Sequence, residues 1–179
     1  MLRLVKPLVL VGLPGAGKTT VGRILADRLG CSFADSDEAI EREAGQSISG
    51  IFAAEGEAGF RRRERATILR LLREERVVIA LGGGSLGDED VRRTALGAAT
   101  LMWLCVPEDL LVERIATGGG RPLFVGQDVC ATLRSLMERR AAHYAAAHHQ
   151  VRGNNSQAIA AEILAILAHS DATAASARR

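Results

Sequence analysis

Cysteine, aromatic side chains and long apolar segments are all scarce in this 179-residue chain. The three cysteines are far apart and have no C-x-x-C spacing, which argues against a disulfide framework and against a zinc site. Aromatic residues make up 3% of the chain, too few for surfaces that stack nucleic-acid bases. No apolar run approaches the roughly 18 residues of a membrane span. These absences predict a soluble protein of a reducing cytoplasm.

The chain also lacks a strong charge of either sign. Its net charge of +2 gives no electrostatic footprint for nucleic acid, so no nucleic-acid partner and no membrane partner are expected. The length suits one domain, which we place at 1–170, followed by a small, polar and disordered tail at 171–179. Nothing in the composition marks an interface, and a monomer is the default expectation.

What the sequence does contain is a regular alternation of strand and helix patterns. Short apolar runs that predict buried strands occupy 7–12, 32–34, 77–81 and 100–106, with a weak edge strand at 150–152. Helical spacing occupies 17–29, 37–44, 47–54, 57–73, a segment that starts at 107–108, then 128–146 and 156–169. This alternation predicts an α/β fold with three layers, in which a mostly parallel five-stranded sheet lies between helices.

The first strand leads into a glycine-rich segment, GLPGAGKT, which we call the phosphate loop (Gly12–Thr19). Its spacing is G-x-x-x-x-G-K-[ST], it follows a buried strand and it opens a helix. Glycines let backbone N–H groups surround phosphate oxygens, and the helix N-terminus favours negative charge. Lys18 adds a positive charge and Thr19 a possible Mg²⁺ ligand. The residues expected to bind the nucleotide here are Gly15, Ala16, Gly17, Lys18, Thr19 and Thr20.

A carboxylate for magnesium is missing where proteins with this loop often have one. The strand at 77–81 ends in glycines, whereas Asp35 and Asp37 follow the second strand. In extended chain these two side chains project to the same side, at the strand end where open α/β sheets bind ligands. The alternative is structural, with Asp37 capping the next helix and Asp35 forming a turn. Beside a phosphate loop, we favour the functional interpretation.

Two further features suit a second, acidic substrate. The triple glycine (Gly82, Gly83 and Gly84) leaves bare backbone at a strand end, where a ligand can approach closely, although a tight turn is the simpler alternative. Arg61, Arg121 and Arg140 are candidate binders of a carboxylate if two of them converge on one pocket. Arg121 follows three glycines, as expected for a charge carried on a closing lid. Composition alone does not choose among these arginines.

Taken together, these motifs resemble the shikimate kinase family over roughly residues 7–167. The matching segments, in the order and spacing of that family, are GLPGAGKTT, DSDEAIE, LGGG, GGGRPL and RRAAHY. The phosphate loop alone is weak support, but the later segments together are specific. The resemblance implies a P-loop kinase fold and transfer of the γ-phosphoryl group of ATP to the 3-hydroxyl of shikimate, a step toward chorismate and the aromatic amino acids.

The resemblance also implies roles on the nucleotide side of the site. Lys18 would hold the outer phosphates, Thr19 would bind Mg²⁺, and Asp35 would hold that ion directly or through water. Arg114 would lie beside adenine. Arg121 would bridge the substrate and the transferred phosphate from a lid at about 116–127.

On the acceptor side, the resemblance implies that Asp37 hydrogen-bonds and orients the attacking hydroxyl. Arg61 and Arg140 would bind the shikimate carboxylate, and the triple glycine would pack against the substrate and offer N–H groups. The substrate-binding region would be a helical insert at about 36–65. The chain departs from the family at Arg152, where an aspartate is frequent, so the contacts to adenine are open.

Two other functions remain as alternatives. A kinase of another small hydroxylated acid, such as gluconate, or of a nucleotide would keep the phosphate loop but need a different acceptor pocket. A nucleotide-binding module without activity would bind ATP without acceptor-dependent turnover. The joint presence of Lys18, Asp35 and Asp37 argues against the second alternative.

Overall fold

The computed structural model describes residues 4–117, 124 and 126–176, and it contains a five-stranded sheet in which all neighbouring strands are parallel. The strands are β1 (Leu8–Val11), β2 (Ser32–Asp35), β3 (Val77–Ala80), β4 (Thr100–Cys105) and β5 (His149–Arg152). Their spatial order is β2-β3-β1-β4-β5. Because β1 lies in the centre, the loop that follows it lies between the loops that follow β3 and β4.

Seven helices are described, and they connect the strands as parallel strands require. They are α1 (Lys18–Leu29), α2 (Ser36–Ala44), α3 (Ile48–Leu71), α4 (Glu89–Ala98), α5 (Glu108–Thr117), α6 (Val129–Ala145) and α7 (Ser156–Ser176). A short 3₁₀ helix at Ser85–Gly87 follows the triple glycine. The α/β fold expected from the sequence is confirmed, including the five strands.

Element bounds agree with the sequence to within a few residues except at two places, which are α4 (Glu89–Ala98), where no helix was expected, and the end of α7. Helix α3 comprises the two helices expected at 47–54 and 57–73, and the break expected between them is confirmed as a kink at Gly56, whose backbone angles of φ 68° and ψ −177° are not helical. Helix α7 continues to Ser176, into the segment expected to be disordered from residue 171. Alanine-rich sequence such as 172–175 has the highest intrinsic helix propensity, which favours this extension.

The hydrophobic core is centred on the inner strands of the sheet, which are completely buried. Every residue of β1 and β3 is buried, as expected for strands covered by helices on both faces. A second, smaller cluster of Ile40, Ile51 and Phe60 holds α2 against the first part of α3. This segment corresponds to the helical insert expected at 36–65. Within the described ranges, no helix is long and apolar enough to cross a membrane.

Candidate active site

The phosphate loop folds as a chain of glycine-dependent turns between β1 and α1. Gly12, Gly15 and Gly17 have φ values of 148°, 85° and 84°, which side-chain-bearing residues rarely adopt. A Cβ on Gly12 would lie 2.8 Å from the Leu104 carbonyl oxygen, so the loop also packs closely against β4. Gly17 provides no side-chain cap, which leaves the first N–H groups of α1 for an anion.

Lys18 lies folded back on the loop that precedes it. Its Nζ donates to the Gly12 carbonyl at 2.9 Å and to the Leu13 carbonyl at 3.3 Å. The ammonium group is therefore held against the first two residues of the phosphate loop.

Asp35 joins the phosphate loop to the second strand. One carboxylate oxygen accepts from the Thr19 hydroxyl at 2.7 Å, and the other accepts from the Asp37 backbone N–H at 3.0 Å. The helix-capping role that the structural alternative gave to Asp37 thus belongs to Asp35, because α2 starts at Ser36 and its N-cap is Asp35. The two aspartates are not successive positions of one extended strand. Even so, the turn brings both into the same site.

Asp37 lies in the first turn of α2, and its carboxyl group is largely buried. Burial, the Asp35 carboxylate and the Glu64 carboxylate raise its pKa to about 6, against the opposing charge of Lys18. A Cβ on Gly82 would lie 2.8 Å from Asp37 Oδ1. Asp37 therefore lies between the phosphate loop and the triple glycine, with proton affinity well above that of an ordinary aspartate.

Arg61 and Arg140 converge although 79 positions separate them in sequence. A Cβ on Gly84 would lie 3.5 Å from Arg61 Nη1 and 3.6 Å from Arg140 Nη2. The convergence condition stated from the sequence is thus met by this pair, which we call the arginine pair. Two guanidinium groups facing one bare stretch of backbone form a site suited to a planar carboxylate.

The two members of the arginine pair are held differently. Arg61 Nη1 donates to Glu64 Oε2 at 2.6 Å, and Arg61 Nη2 lies 3.4 Å from Glu57 Oε1, an i,i+4 pair on this helix. Glu64 is 5% exposed and also accepts from the Ser85 hydroxyl at 2.8 Å. Arg140 forms no salt bridge with any described carboxylate.

Side chains from two helices fix the backbone of the triple glycine. The Gly82 N–H donates to the buried Ser36 hydroxyl at 2.9 Å, and the Gly83 carbonyl accepts from the Tyr144 hydroxyl at 2.7 Å. A Cβ on Gly83 would lie 2.7 Å from Arg140 Nη1. The triple glycine also forms a tight turn, in which the Ser85 N–H donates to the Gly82 carbonyl at 3.1 Å, so the turn and the close approaches of Asp37 and Arg140 occur together.

Arg114 links the phosphate loop to the loop that follows β5. Its guanidinium donates to the Gly15 carbonyl at 3.2 Å and to the Asn154 carbonyl at 2.7 Å. Asn154 also borders an open cavity of about 500 Å³ that is lined by Cys105, Val106, Pro107, Arg152 and Gly153. Arg114 and Arg152 therefore both lie near the strand ends where a nucleotide base could extend from the phosphate loop.

Arg121 and most of the lid expected at 116–127 lie outside the described residues. All other site residues that the sequence predicts lie within the described part of the chain. Among them, Thr20 is exposed on the first turn of α1. No group of three or more histidine, cysteine, aspartate or glutamate side chains suited to a metal occurs in the described part of the chain. A divalent ion would therefore rely on Thr19, Asp35 and oxygens that a ligand supplies.

Sequence reasoning missed three residues that shape this site, Glu64, Ser36 and Tyr144. Glu64 lies in the charged run at 61–65, whose bulk composition suggests only a solvated helix face. The sequence indicates a contact with Arg61 only through the spacing of three residues, which brings two side chains together on a helix. Ser36 lies between the two aspartates, and Tyr144 lies four residues after Arg140 on one face of a helix.

Several residues outside the candidate site have structural roles. His148 Nδ1 accepts from the Leu101 N–H at 3.0 Å, across the sheet edge. Trp103 packs against Tyr144, with ring centroids 5.8 Å apart. The three cysteines are free and partly buried, consistent with the absence of a disulfide framework.

Comparisons with known proteins agree with this geometry. A family model described as shikimate kinase matches residues 14–168. A shikimate kinase of Salinispora tropica is 45% identical over 162 residues, covering 89% of this chain and 96% of its own length. A shikimate kinase of Zymomonas mobilis is 43% identical over 142 residues, covering 79% and 81%.

A solved structure extends the agreement to three dimensions. A shikimate kinase of Acinetobacter baumannii in complex with shikimate superposes with a TM-score of 0.86 at 36% identity, covering 92% of this chain and 94% of that chain. Both the sequence match and the fold thus extend over most of the chain, beyond the phosphate loop that many nucleotide-binding proteins share. This chain belongs to the shikimate kinase family.

Proposed function

We propose that the protein transfers the γ-phosphoryl group of ATP to the 3-hydroxyl of shikimate and releases shikimate 3-phosphate and ADP. The observation that carries this proposal is the convergence of the arginine pair on Gly84, beside Asp37 and the phosphate loop. A compact acid with a carboxylate at one end and hydroxyls at the other matches this order of groups. The family assignment supports the same substrate.

The arginine pair fixes the orientation of the acceptor. Two charge-assisted hydrogen-bonding contacts contribute about 1.5–3 kcal/mol each, and a planar guanidinium restricts the carboxylate in angle as well as in position. The triple glycine lets the ring approach the backbone closely. The acceptor hydroxyl is then directed toward Asp37 and away from the arginine pair.

Asp37 accepts a hydrogen bond from the attacking hydroxyl and takes its proton as the O–P bond forms. A carboxylate with a pKa near 6 is ionised at neutral pH, yet it binds a proton more strongly than an ordinary aspartate. The phosphate loop N–H groups and Lys18 neutralise charge on the phosphoryl group. Phosphoryl transfer needs chiefly this positioning and charge neutralisation.

Thr19 and Asp35 are the residues that would hold Mg²⁺. The fit rests on their oxygen atoms, which already lie 2.7 Å apart at the N-terminus of α1, and on the preference of Mg²⁺ for oxygen ligands. The ion supplies electrostatic neutralisation of the phosphate oxygens when bound. The roles of Arg114 beside adenine and of Arg121 on a lid remain predictions, as do the monomeric state and the cytoplasmic location.

The test is ADP production from MgATP with and without shikimate, with gluconate and AMP as control acceptors. A large rise that requires shikimate is expected. A rise only with gluconate or AMP would keep the kinase but contradict the acceptor assignment. Absence of a rise with all three, despite measurable ATP binding, would favour a binding module.

The matched variant for this assay is Asp37→Asn, which keeps the shape of the side chain but removes its proton acceptor. We expect kcat to fall by about 10²–10⁴ while the dissociation constant of MgATP changes little. Near-normal turnover by this variant would contradict the role of Asp37 even if the wild-type protein is shikimate-dependent.

A further inference from the structure

Ser36 is a fully buried serine between the two aspartates of the candidate active site. It is the first residue of α2, and its side chain is 0% exposed. Its hydroxyl oxygen accepts from the Gly82 N–H at 2.9 Å. A buried hydroxyl group needs a hydrogen-bond partner, and the backbone of the triple glycine supplies that partner here.

This hydrogen bond lies just beyond the end of a strand ladder. Strands β2 and β3 pair in parallel as far as Asp35 and Ala80. After this pair, β2 turns into α2, whereas the chain of β3 continues toward the triple glycine. Among the hydrogen bonds of the described residues, the bond from Gly82 to Ser36 is the one that joins the turn after β2 to the triple glycine. It therefore ties together two segments that the sheet itself no longer connects.

The two segments carry different parts of the acceptor site. The turn after β2 leads into Asp37, the proposed proton acceptor. The triple glycine is the backbone that the arginine pair faces. A Cβ on Gly82 would lie 2.8 Å from Asp37 Oδ1, so the two parts approach each other closely at this glycine. A small shift of Gly82 therefore changes the distance between Asp37 and a substrate that lies on the triple glycine.

Both backbone groups of Gly82 form hydrogen bonds within the protein. Its N–H donates to Ser36, and its carbonyl accepts from the Ser85 N–H at 3.1 Å. Gly82 therefore does not offer its N–H to an acceptor, and the N–H groups that the triple glycine can offer are those of Gly83 and Gly84. Gly82 anchors the triple glycine, while the next two residues approach the arginine pair.

We propose that Ser36 is a positioning residue, which holds Gly82 through its hydroxyl and thereby sets the distance between Asp37 and the bound acceptor. The inference rests on the proposed function and adds a residue to that site. Ser36 does not touch the substrate itself, because it is fully buried. Its effect belongs to the transfer step, since a misplacement of about 1 Å between reacting groups can lower a rate by about 10²-fold.

The first test compares Ser36→Ala with the wild-type protein in single-turnover assays with excess enzyme, which separate phosphoryl transfer from product release. Alanine fits the buried position but leaves the Gly82 N–H without its acceptor. We expect the transfer rate to fall by about 10–100-fold. The calorimetric Kd values of shikimate and MgATP should change less than about threefold, because the arginine pair and the phosphate loop are unaltered. An unchanged transfer rate would overturn the proposal.

Two further variants separate the hydrogen bond from the volume of the side chain. Ser36→Thr keeps the hydroxyl acceptor, whereas Ser36→Cys nearly keeps the size of serine but offers sulfur, a weak acceptor. The threonine variant should transfer within about threefold of the wild-type rate, and the cysteine variant should remain roughly tenfold slower. A cysteine variant as fast as the wild-type protein, or a folded threonine variant as slow as the alanine variant, would overturn the proposal.

Amide hydrogen exchange at Gly82 measures the same hydrogen bond without any turnover. The Gly82 N–H should exchange roughly tenfold faster in Ser36→Ala than in the wild-type protein, and Ser36→Thr should restore the slower exchange. Equal exchange rates in the wild-type protein and the alanine variant would show that the hydroxyl does not hold this backbone. That result would overturn the proposal even if the transfer rate had fallen.

Asp88→Ala is the matched control for a general loss of stability. Asp88 caps α4, where its carboxylate accepts from the Val91 N–H at 3.0 Å, so this variant also removes a side-chain acceptor of a backbone N–H. It should lower the melting temperature and leave the transfer rate within about twofold of wild type. Equal slowing by Asp88→Ala and Ser36→Ala would mean that Ser36 is only structural. A wild-type protein without shikimate-dependent turnover would instead overturn the proposed function, and the positioning role with it.

Discussion

At the scale of single residues, Asp37 shows how a site residue can lower the stability of the fold. Its pKa is raised from 3.8 to about 6, chiefly by burial and then by Asp35 and Glu64. Between these two pH values the native state binds more protons than the unfolded chain. The free energy of unfolding therefore falls as pH rises through this window, and above it the ionised group remains destabilising.

We accordingly expect Asp37→Asn to stabilise the protein while it removes turnover. At pH 7.5, without nucleotide and with a chelator present, the free energy of unfolding should rise by about 1–3 kcal/mol. The gain should shrink as pH falls through the window and disappear below about pH 3, where the wild-type carboxyl group is neutral in both states. Urea denaturation at the two pH values measures it, and an equal effect at both would contradict the assigned cause.

The sequence identifies some of these residues and not others, for a physical reason. Asp35 and Asp37 stand out because the end of a parallel strand beside a phosphate loop is where ligands bind. Glu64 does not stand out, because its burial depends on Ser85 and the triple glycine, which approach it only in the folded chain. Local sequence alone does not distinguish it from the solvated acids around it.

At the scale of the elements, the kink of α3 is the feature that depends most on a single residue. Gly56 has φ 68° and ψ −177°, a combination that is essentially confined to glycine. The helix on its C-terminal side carries Arg61 and Glu64. The glycine thus sets the direction from which these two side chains enter the acceptor site.

Gly56→Ala should therefore destabilise the protein by about 1–3 kcal/mol through backbone strain alone, since a Cβ there has no atom within 4 Å. It should also raise the acceptor KM if the segment that carries Arg61 shifts. Thermal and urea unfolding together with acceptor kinetics measure both effects.

Gly97→Ala is the control for this substitution. Gly97 is exposed, lies within α4 and likewise has no atom within 4 Å of a Cβ. Because its backbone is helical, alanine should stabilise the protein there by about 0.5–1 kcal/mol. Equal effects of the two substitutions would exclude backbone strain at Gly56.

Strand and helix positions follow from the sequence because buried parallel strands are continuous apolar runs between glycine-terminated helices. The break at Gly56 follows as well, because one helical pattern stops there and another begins. Helix α4 does not follow from the apolar pattern, because only Val91 and Ala95 of its ten residues are buried.

At the scale of the whole molecule, the strand order determines which loops meet. Local patterns predict a parallel sheet but not the order β2-β3-β1-β4-β5. That order places the loop after β1 beside the loops after β3 and β4, and Asp35 beside Thr19. The convergence of Arg61 and Arg140 is likewise a property of the assembled fold, which is why composition could not select this pair.

The two halves of the site should bind their ligands independently, so each ligand should raise the melting temperature through its own half. The phosphate loop belongs to β1 and α1, whereas the arginine pair belongs to α3 and α6. A ligand that binds only the native state at 100 times its Kd adds about 2.7 kcal/mol of stability. For a chain of this length, that raises the melting temperature by roughly 5–10 °C.

Lys18→Ala should therefore lose most of the shift caused by MgATP or MgADP and keep the shift caused by shikimate. Arg140→Ala should do the reverse, because its guanidinium lies against Gly83 and Gly84 of the triple glycine. Each variant serves as the control for general damage in the other. Loss of both shifts in either variant would mean that the two halves form one cooperative binding unit. In that case, the affinity for one ligand would not assign the phosphate contacts or the carboxylate contacts to particular residues.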